Sequence, residues 1–226
     1  MKYYLQARLF PTVITSIPVI GWTYELFNPY TPQLRQTFEF LPHAMSATFY
    51  TAILFMLVQI NRIVSKEIFQ AVLYKDDIYM PTTTQLLISD STLDPSIKVK
   101  VREKIESTFG IQLFSEDEEQ ADNVAARKRI ASAVGQVRNK LRSNLLLLQH
   151  NIEYGFFRNL MGGSLIAAVV SVGLSIYCYF RTSSHLLGLA LGMSIFYSLL
   201  LLITFPLLKK SSKYYTRILL DEFIGL

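Results

Sequence analysis

The chain has 226 residues, of which 51% are hydrophobic and only 17% charged, whereas a soluble globular domain carries about 25% charged residues. With a mean hydropathy of +0.30, this balance excludes an ordinary water-borne domain for the whole chain and points to a protein that puts part of itself in lipid. The net charge of +5 suits an anionic neighbour, either a phosphate-bearing ligand or the inner leaflet, and charge alone does not choose between them.

About 20 apolar residues cross a bilayer, and four stretches are candidates: 9–27, 44–60, 160–180 and 186–208. The first is interrupted by Pro11 and Pro18, which membrane helices tolerate when neighbours resatisfy the freed backbone groups. "MKYYLQAR" is a passable basic start for a signal peptide, but the bulky "GWTYELFNPYTP" that follows offers no small-residue cleavage site, so a retained helix is expected. The short loops 28–43 and 181–185 hold one arginine each, Arg35 and Arg181, while most of the other cations lie in 62–158 and 209–217. The excess of Lys and Arg orients membrane chains, so both termini and the middle segment are expected in the cytoplasm of a bacterial inner-membrane protein. Trp22, Tyr24, Tyr30, Tyr177 and Tyr179 then fall at the outer interface. The expected fold is an all-α membrane protein with four transmembrane helices as two hairpins: hairpin one at 1–61, a helical cytoplasmic domain at 62–158, hairpin two at 159–208, and a cytoplasmic tail at 209–226.

The middle segment carries clear helix punctuation. Residues 62–74 continue the second span inward until "KDDIYMPTTTQ", where Pro81 argues against continued helix. In "LDPSIKVKVREKIESTFG", Asp94 is an N-cap, Pro95 opens the helix and Gly110 ends it. Ile97, Val101, Ile105 and Phe109 recur every fourth residue and make one apolar face. "SEDEEQADNVAARKRIASAVGQVRNKLRSN" opens with capping-box spacing at Ser115 and Glu118, and Ile130, Val134, Val137 and Leu141 form its core-facing stripe.

Catalytic chemistry is hard to find. HExxH, CxxC, GxSxG and Walker patterns are missing from the sequence, so no catalytic residue, metal or cofactor is expected. "MGGS" at 161–164 lacks the lysine of a phosphate loop. His150 and Glu153 share a helical face but find no further ligands, and a hydrogen-bonded structural pair is the plainer reading. Cys178, the single cysteine, offers neither a disulfide nor a metal set.

Small residues repeat every four positions at Gly163, Ala167, Ser171 and Ser175, and again at Ser184, Gly188 and Gly192. Such stripes let helices approach closely, either within the second hairpin or between copies. No span carries an ionisable residue near its centre, which argues against a coupled transporter. Mild hydroxyls remain: Thr12, Thr15, Ser16 and Thr23 in the first span, Ser46, Thr48 and Thr51 in the second. Of these, Thr12, Thr15, Ser16, Ser46 and Thr51 are the pore-lining candidates; the alternative is that they bond their own helix backbone.

At about 100° per residue, Arg127, Arg138 and Arg142 fall within about 60° of one another, and Lys98 and Arg102 sit four apart on the preceding helix. Clustered guanidiniums recognise phosphates, and Phe109, Phe114 and Tyr79 could stack bases. A solvated face paired with the acids at 116–119, or contact with anionic lipid, is the alternative. In "HNIEYGFFRNLMGG", Tyr154, Gly155, Phe156 and Arg158 form an expected coupling elbow at headgroup level, between the domain and the third span.

The phrases "PTTTQLLISDSTLDPSIKVKVREKIESTFGIQL", "AARKRIASAVGQVR" and "HNIEYGFFRNLMGG" resemble a family of small bacterial membrane effectors of anti-phage defence cassettes, those of the Hailong type. The resemblance covers the middle of the chain and the third span. It implies a homo-oligomeric, tetrameric ion channel whose opening depolarises the membrane and arrests growth. It further implies a nucleotidyltransferase encoded nearby that makes single-stranded DNA oligomers holding the channel shut. It carries over no ligand residues; the nucleotide- or oligonucleotide-binding assignment of the arginines rests on their spacing. A non-conducting, membrane-anchored scaffold that recruits a cytosolic partner is the competing reading.

Overall fold

The computed structural model describes residues 2–27, 42–181 and 184–226, with side chains for 2–25, 47–181 and 185–226. Arg35, Tyr30 and most of the first short loop lie outside the described residues, as do the side chains of His43, Ser46 and Ser184. All regular structure among the described residues is helical. The chain falls into two compact units, Met1–Phe69 with Gly155–Leu208, and Gln70–Tyr154 with Lys209–Leu226.

In the first unit, helix α1 (Phe10–Phe27) follows the π-helical turn Leu5–Leu9, and α2 (Pro42–Val64) runs into a second π-helical turn, Ser65–Gln70. The unit also holds most of α8 (Leu145–Phe180) and the first part of α9 (Ser184–Ile224). Three helical stretches among the described residues are long and apolar enough to cross a membrane: Ala47–Tyr74, Leu145–Phe180 and His185–Ile224. The first expected span is not among them. Its helical stretch runs unbroken from Lys2 to Phe27, so length is sufficient, but two prolines, three threonines and Glu25 dilute its apolar character. Many large apolar side chains of the unit point outward, including Phe55, Met56, Val169, Ile176, Leu189, Leu202 and Ile203. This is the inverse of a soluble surface and is consistent with lipid contact.

The prolines of α1 explain much of the polar chemistry inside this unit. Proline has no N–H, so Pro11 and Pro18 leave the carbonyls of Ala7 and Ile14 without their helical donors. Asn159 Nδ2 donates to Ala7 O at 2.6 Å and to Gly155 O at 2.9 Å. Tyr197 Oη donates to Ile14 O at 2.8 Å. Two polar residues from later helices thus satisfy the two carbonyls that the prolines expose.

The small-residue stripe of α8 is buried throughout, at Ala167, Ser171 and Ser175 as well as Gly163. A Cβ on Gly163 would collide with Thr15 Oγ1 and stand 2.8 Å from Asn61 Nδ2; one on Gly162 would collide with Ser65 Oγ and stand 2.6 Å from Asn61 O. The "MGGS" glycines are therefore sites of close helix approach. The corresponding stripe of α9 behaves differently. Gly188 and Gly192 are exposed, and a Cβ on either would meet nothing within 4 Å. Helices α8 and α9 meet instead through Leu174, Cys178 and Ala190, with Tyr177, Leu187 and Met193 beside them.

The second unit holds α3 (Ala71–Tyr74), a 3-10 turn (Asp77–Tyr79), α4 (Pro81–Thr84), α5 (Pro95–Phe109), α6 (Glu116–Ala121) and α7 (Asn123–Lys140). Asp94 Oδ1 accepts from Ser96 N at 2.8 Å to cap α5, and Gly110, at φ 66°, closes it in the left-handed conformation. Ser115 and Glu118 form the expected capping box. The single helix expected after Ser115 is divided. Asp122 adopts φ −141° and ψ 84°, outside helical geometry, and its side chain caps α7 through Ala125 N at 2.9 Å. An Asx residue that competes for the next turn's amides ends one helix and starts another.

Val101, Ile105, Ile130, Val134, Val137 and Leu141 lie in one buried core, with Ile97 and Phe109 packed against it. Leu219, Leu220 and Phe223 belong to the same core and are fully buried. Residues 209–226, expected as a separate tail, thus supply an apolar face to this unit.

Candidate functional site

The cations expected to bind ligand divide into two groups. Lys98 is buried, at 5% exposure, and its Nζ donates to the carbonyls of Leu87, Ile88 and Asp90. Arg102 donates to Leu86 O and Glu119 Oε1, each at 3.0 Å, and to Phe114 O. Glu119 is itself buried, and its Oε2 accepts from Ile88 N at 2.8 Å. Burial of an ion requires paired charges or filled hydrogen-bond positions: Arg102 and Glu119 pair with each other, and Lys98 fills its donor positions with three carbonyls. Lys98 and Arg102 lock the 85–93 segment onto α5 and α6, so these two candidates serve the protein's own backbone. The spacing placed Lys98 and Arg102 on one face of α5; it carried no sign of the carbonyls waiting there.

Arg127 and Arg138 are held more lightly. Arg127 Nε donates to Asn123 Oδ1 at 2.7 Å and Nη1 to Thr84 Oγ1 at 3.0 Å, while the guanidinium lies 4.6 Å from the Tyr79 ring centroid. Arg138 Nη2 donates to Thr82 Oγ1 at 3.1 Å, with its guanidinium 5.8 Å from the centroid of Tyr215. Neither is paired with a carboxylate among the described residues. Two full charges thus rest on hydroxyls, an amide oxygen and aromatic faces. Eleven residues apart on α7, they are separated by about 16 Å of helix rise, with the threonines of α4 at both.

Arg142 lies past the last residue of α7, in the turn that leads to α8. The helical projection that grouped three arginines therefore covers only Arg127 and Arg138. Arg142 is exposed, and no hydrogen-bond or ion-pair partner reaches its guanidinium among the described residues.

The aromatic candidates are engaged differently. Phe114 lies under Arg129, at 4.5 Å. Phe109 stacks on Phe223 at 5.8 Å within the core. Only Tyr79 accompanies a candidate arginine.

Of the expected pore lining, Thr12, Thr15 and Ser16 are buried at 1–3% exposure. Their hydroxyls donate to Arg8 O, Pro11 O and Val13 O, and Asn61 Nδ2 donates to Thr12 Oγ1 at 3.1 Å and Thr15 Oγ1 at 3.3 Å. They pack inside one chain and line no open path there. Thr51 is exposed and donates to Ala47 O at 2.7 Å.

The expected elbow is an unbroken stretch of α8. Tyr154, at 8% exposure, stacks on Tyr215 with centroids 6.5 Å apart. Gly155 is a close approach, since a Cβ there would stand 2.9 Å from Ala7 Cβ and from Tyr3 Oη. Phe156 is half-buried, its ring edge-on to Phe157, and Arg158 lies on the same helix.

His150 Nδ1 and Glu153 Oε2 are 3.2 Å apart. Among the described residues, no three of His, Cys, Asp and Glu gather closely enough to hold a metal ion. Comparison with protein-family models, curated proteins and solved structures finds no match for the chain.

Proposed function

We propose that the protein is a homo-oligomeric ion channel of the bacterial inner membrane, built from four spanning helices in two hairpins and gated by a phosphate-rich ligand on α7. The observation that carries this reading is the pair Arg127 and Arg138, two guanidiniums held only by neutral partners in the unit from which α8 runs unbroken into a candidate span. A phosphate brings the opposite charge and a bidentate geometry that a lone hydroxyl lacks, so a polyanion would displace the threonine hydroxyls. Arg142, in the turn after α7, is a further exposed cation of the same unit. Swinging a two-state gate from mostly shut to mostly open takes about 5.5 kcal/mol of differential affinity, and several phosphate contacts repeated around an oligomer supply that at moderate salt.

The resemblance of the middle segment supplies the setting: anti-phage defence, a tetramer, and an oligonucleotide made by a neighbouring nucleotidyltransferase. The burial of Thr12, Thr15 and Ser16 favours the second reading, a non-conducting scaffold, unless the conduit is formed between copies by other faces. Ion flux from liposomes holding the full chain separates the two. The channel reading expects flux that single-stranded oligonucleotide modulates; the scaffold reading expects none under either condition.

A further inference from the structure

Three routes out of the candidate spans meet on a single turn of α9. Tyr74 ends the stretch Ala47–Tyr74, and its hydroxyl lies 2.6 Å from Ser212 Oγ. Tyr154, on α8, stacks on Tyr215 at 6.5 Å with the rings inclined by 24°. Ser212 and Tyr215 are one turn apart on α9, and Thr216 Oγ1 donates to Ser212 O at 2.9 Å in the same turn. The other face of this turn is fixed by the core, because Leu219, Leu220 and Phe223 follow within two turns and are fully buried.

Arg138 stands at this meeting point. Its guanidinium lies 5.8 Å from the Tyr215 centroid while one of its nitrogens donates to Thr82. One side chain thus touches the ring that Tyr154 stacks on and the hydroxyl that an anion would replace. We propose that Arg138, Tyr215 and Tyr154 form a transmission joint in which Tyr215 is the positioning residue, and that an anion drawing Arg138 off the Tyr215 ring loosens the grip of α9 on α8. The use of this joint as a gate rests on the ligand-gated reading above; its existence rests on the contacts alone.

A cation over a tyrosine face attracts it by about 0.5–1 kcal/mol, and coupled contacts give non-additive mutational effects. The test is backbone amide exchange at 148–158 and 209–218 in the full chain in detergent. Arg138→Gln and Tyr215→Leu should each speed exchange there about twofold to fivefold. The double variant should exchange no faster than Tyr215→Leu. Should Tyr215→Leu fail to fold, Tyr154→Leu breaks the other contact, and the same cycle with Arg138→Gln decides. Independent, multiplying effects in either cycle, or no effect of Arg138→Gln, would overturn the joint.

Adding single-stranded oligothymidine to the unaltered chain should change exchange at the same amides. Binding without that change overturns the joint's use as a gate and leaves the ligand reading standing. Failure to bind sinks the ligand reading, while the ligand-free cycle still decides the joint.

Discussion

Lys98 and Arg102 on α5 differ from Arg127 and Arg138 on α7 in what surrounds them, although all four are cations of one small helical unit. The first pair is sealed against backbone carbonyls and the buried Glu119. The second rests on threonine hydroxyls, an amide oxygen and aromatic rings. A charge whose partners are all internal and well placed is part of the scaffold. A charge that reaches solvent and is held by side-chain hydroxyls and aromatic rings is the one that an incoming anion can recruit.

The sharpest way to break this comparison is to remove one partner from each set. Glu119→Ala strands the Arg102 guanidinium beside buried carbonyls, and loss of a buried partner costs about 3–5 kcal/mol. Arg127→Gln leaves only neutral groups behind and should stay within about 1 kcal/mol of the unaltered chain. Denaturant unfolding of the full chain in mild detergent checks both; similar losses for the two variants would erase the distinction.

The two small-residue stripes permit a parallel test. Gly163→Leu drives a side chain into Thr15 and Asn61 and should cost about 1–3 kcal/mol as overpacking. Gly192→Ala faces open space and should shift stability by less than about 1 kcal/mol. If an oligomer forms through the exposed face of α9, the Gly192 variant in place of that glycine should instead change the assembly measured by light scattering.

Smaller effects come from the caps. Ser96 donates two hydrogen bonds to the Asp94 carboxylate, one from its hydroxyl and one from its amide, and holds that carboxyl below its ordinary value. Ser115 does the same for Glu118 through its amide and hydroxyl. A depressed folded-state value means that the charged form stabilises the fold. That stability is complete above the ordinary carboxylate value, about 4, and is lost as pH falls through the lower folded value. Asp94→Asn keeps the capping acceptor, so its melting temperature should fall less steeply below about pH 4 than that of the unaltered chain.

Much of the second unit was legible in sequence. The N-caps, the left-handed Gly110 and the four-residue apolar repeats are local signals, and each found its expected place. What local patterns could not convey was partnership across the chain. A proline announces a missing donor, but nothing near Pro11 or Pro18 in sequence names Asn159 or Tyr197 as the substitute. Likewise, a helical projection treats Arg142 as part of α7, whereas the helix ends at Lys140 and the chain turns away. The hydroxyls of α1 read equally well as lining or packing groups until Asn61 is seen bonded to two of them.

The claim that α7 offers recruitable charge is tested most directly by the salt dependence of oligothymidine binding to the full chain. If Arg127, Arg138 and Arg142 each neutralise a phosphate, the logarithm of affinity should fall with the logarithm of salt concentration with a slope of about −2. Reversing all three to glutamate should abolish binding, while reversing Arg181 should leave it unchanged. Unaltered affinity and slope in the triple variant would contradict the account.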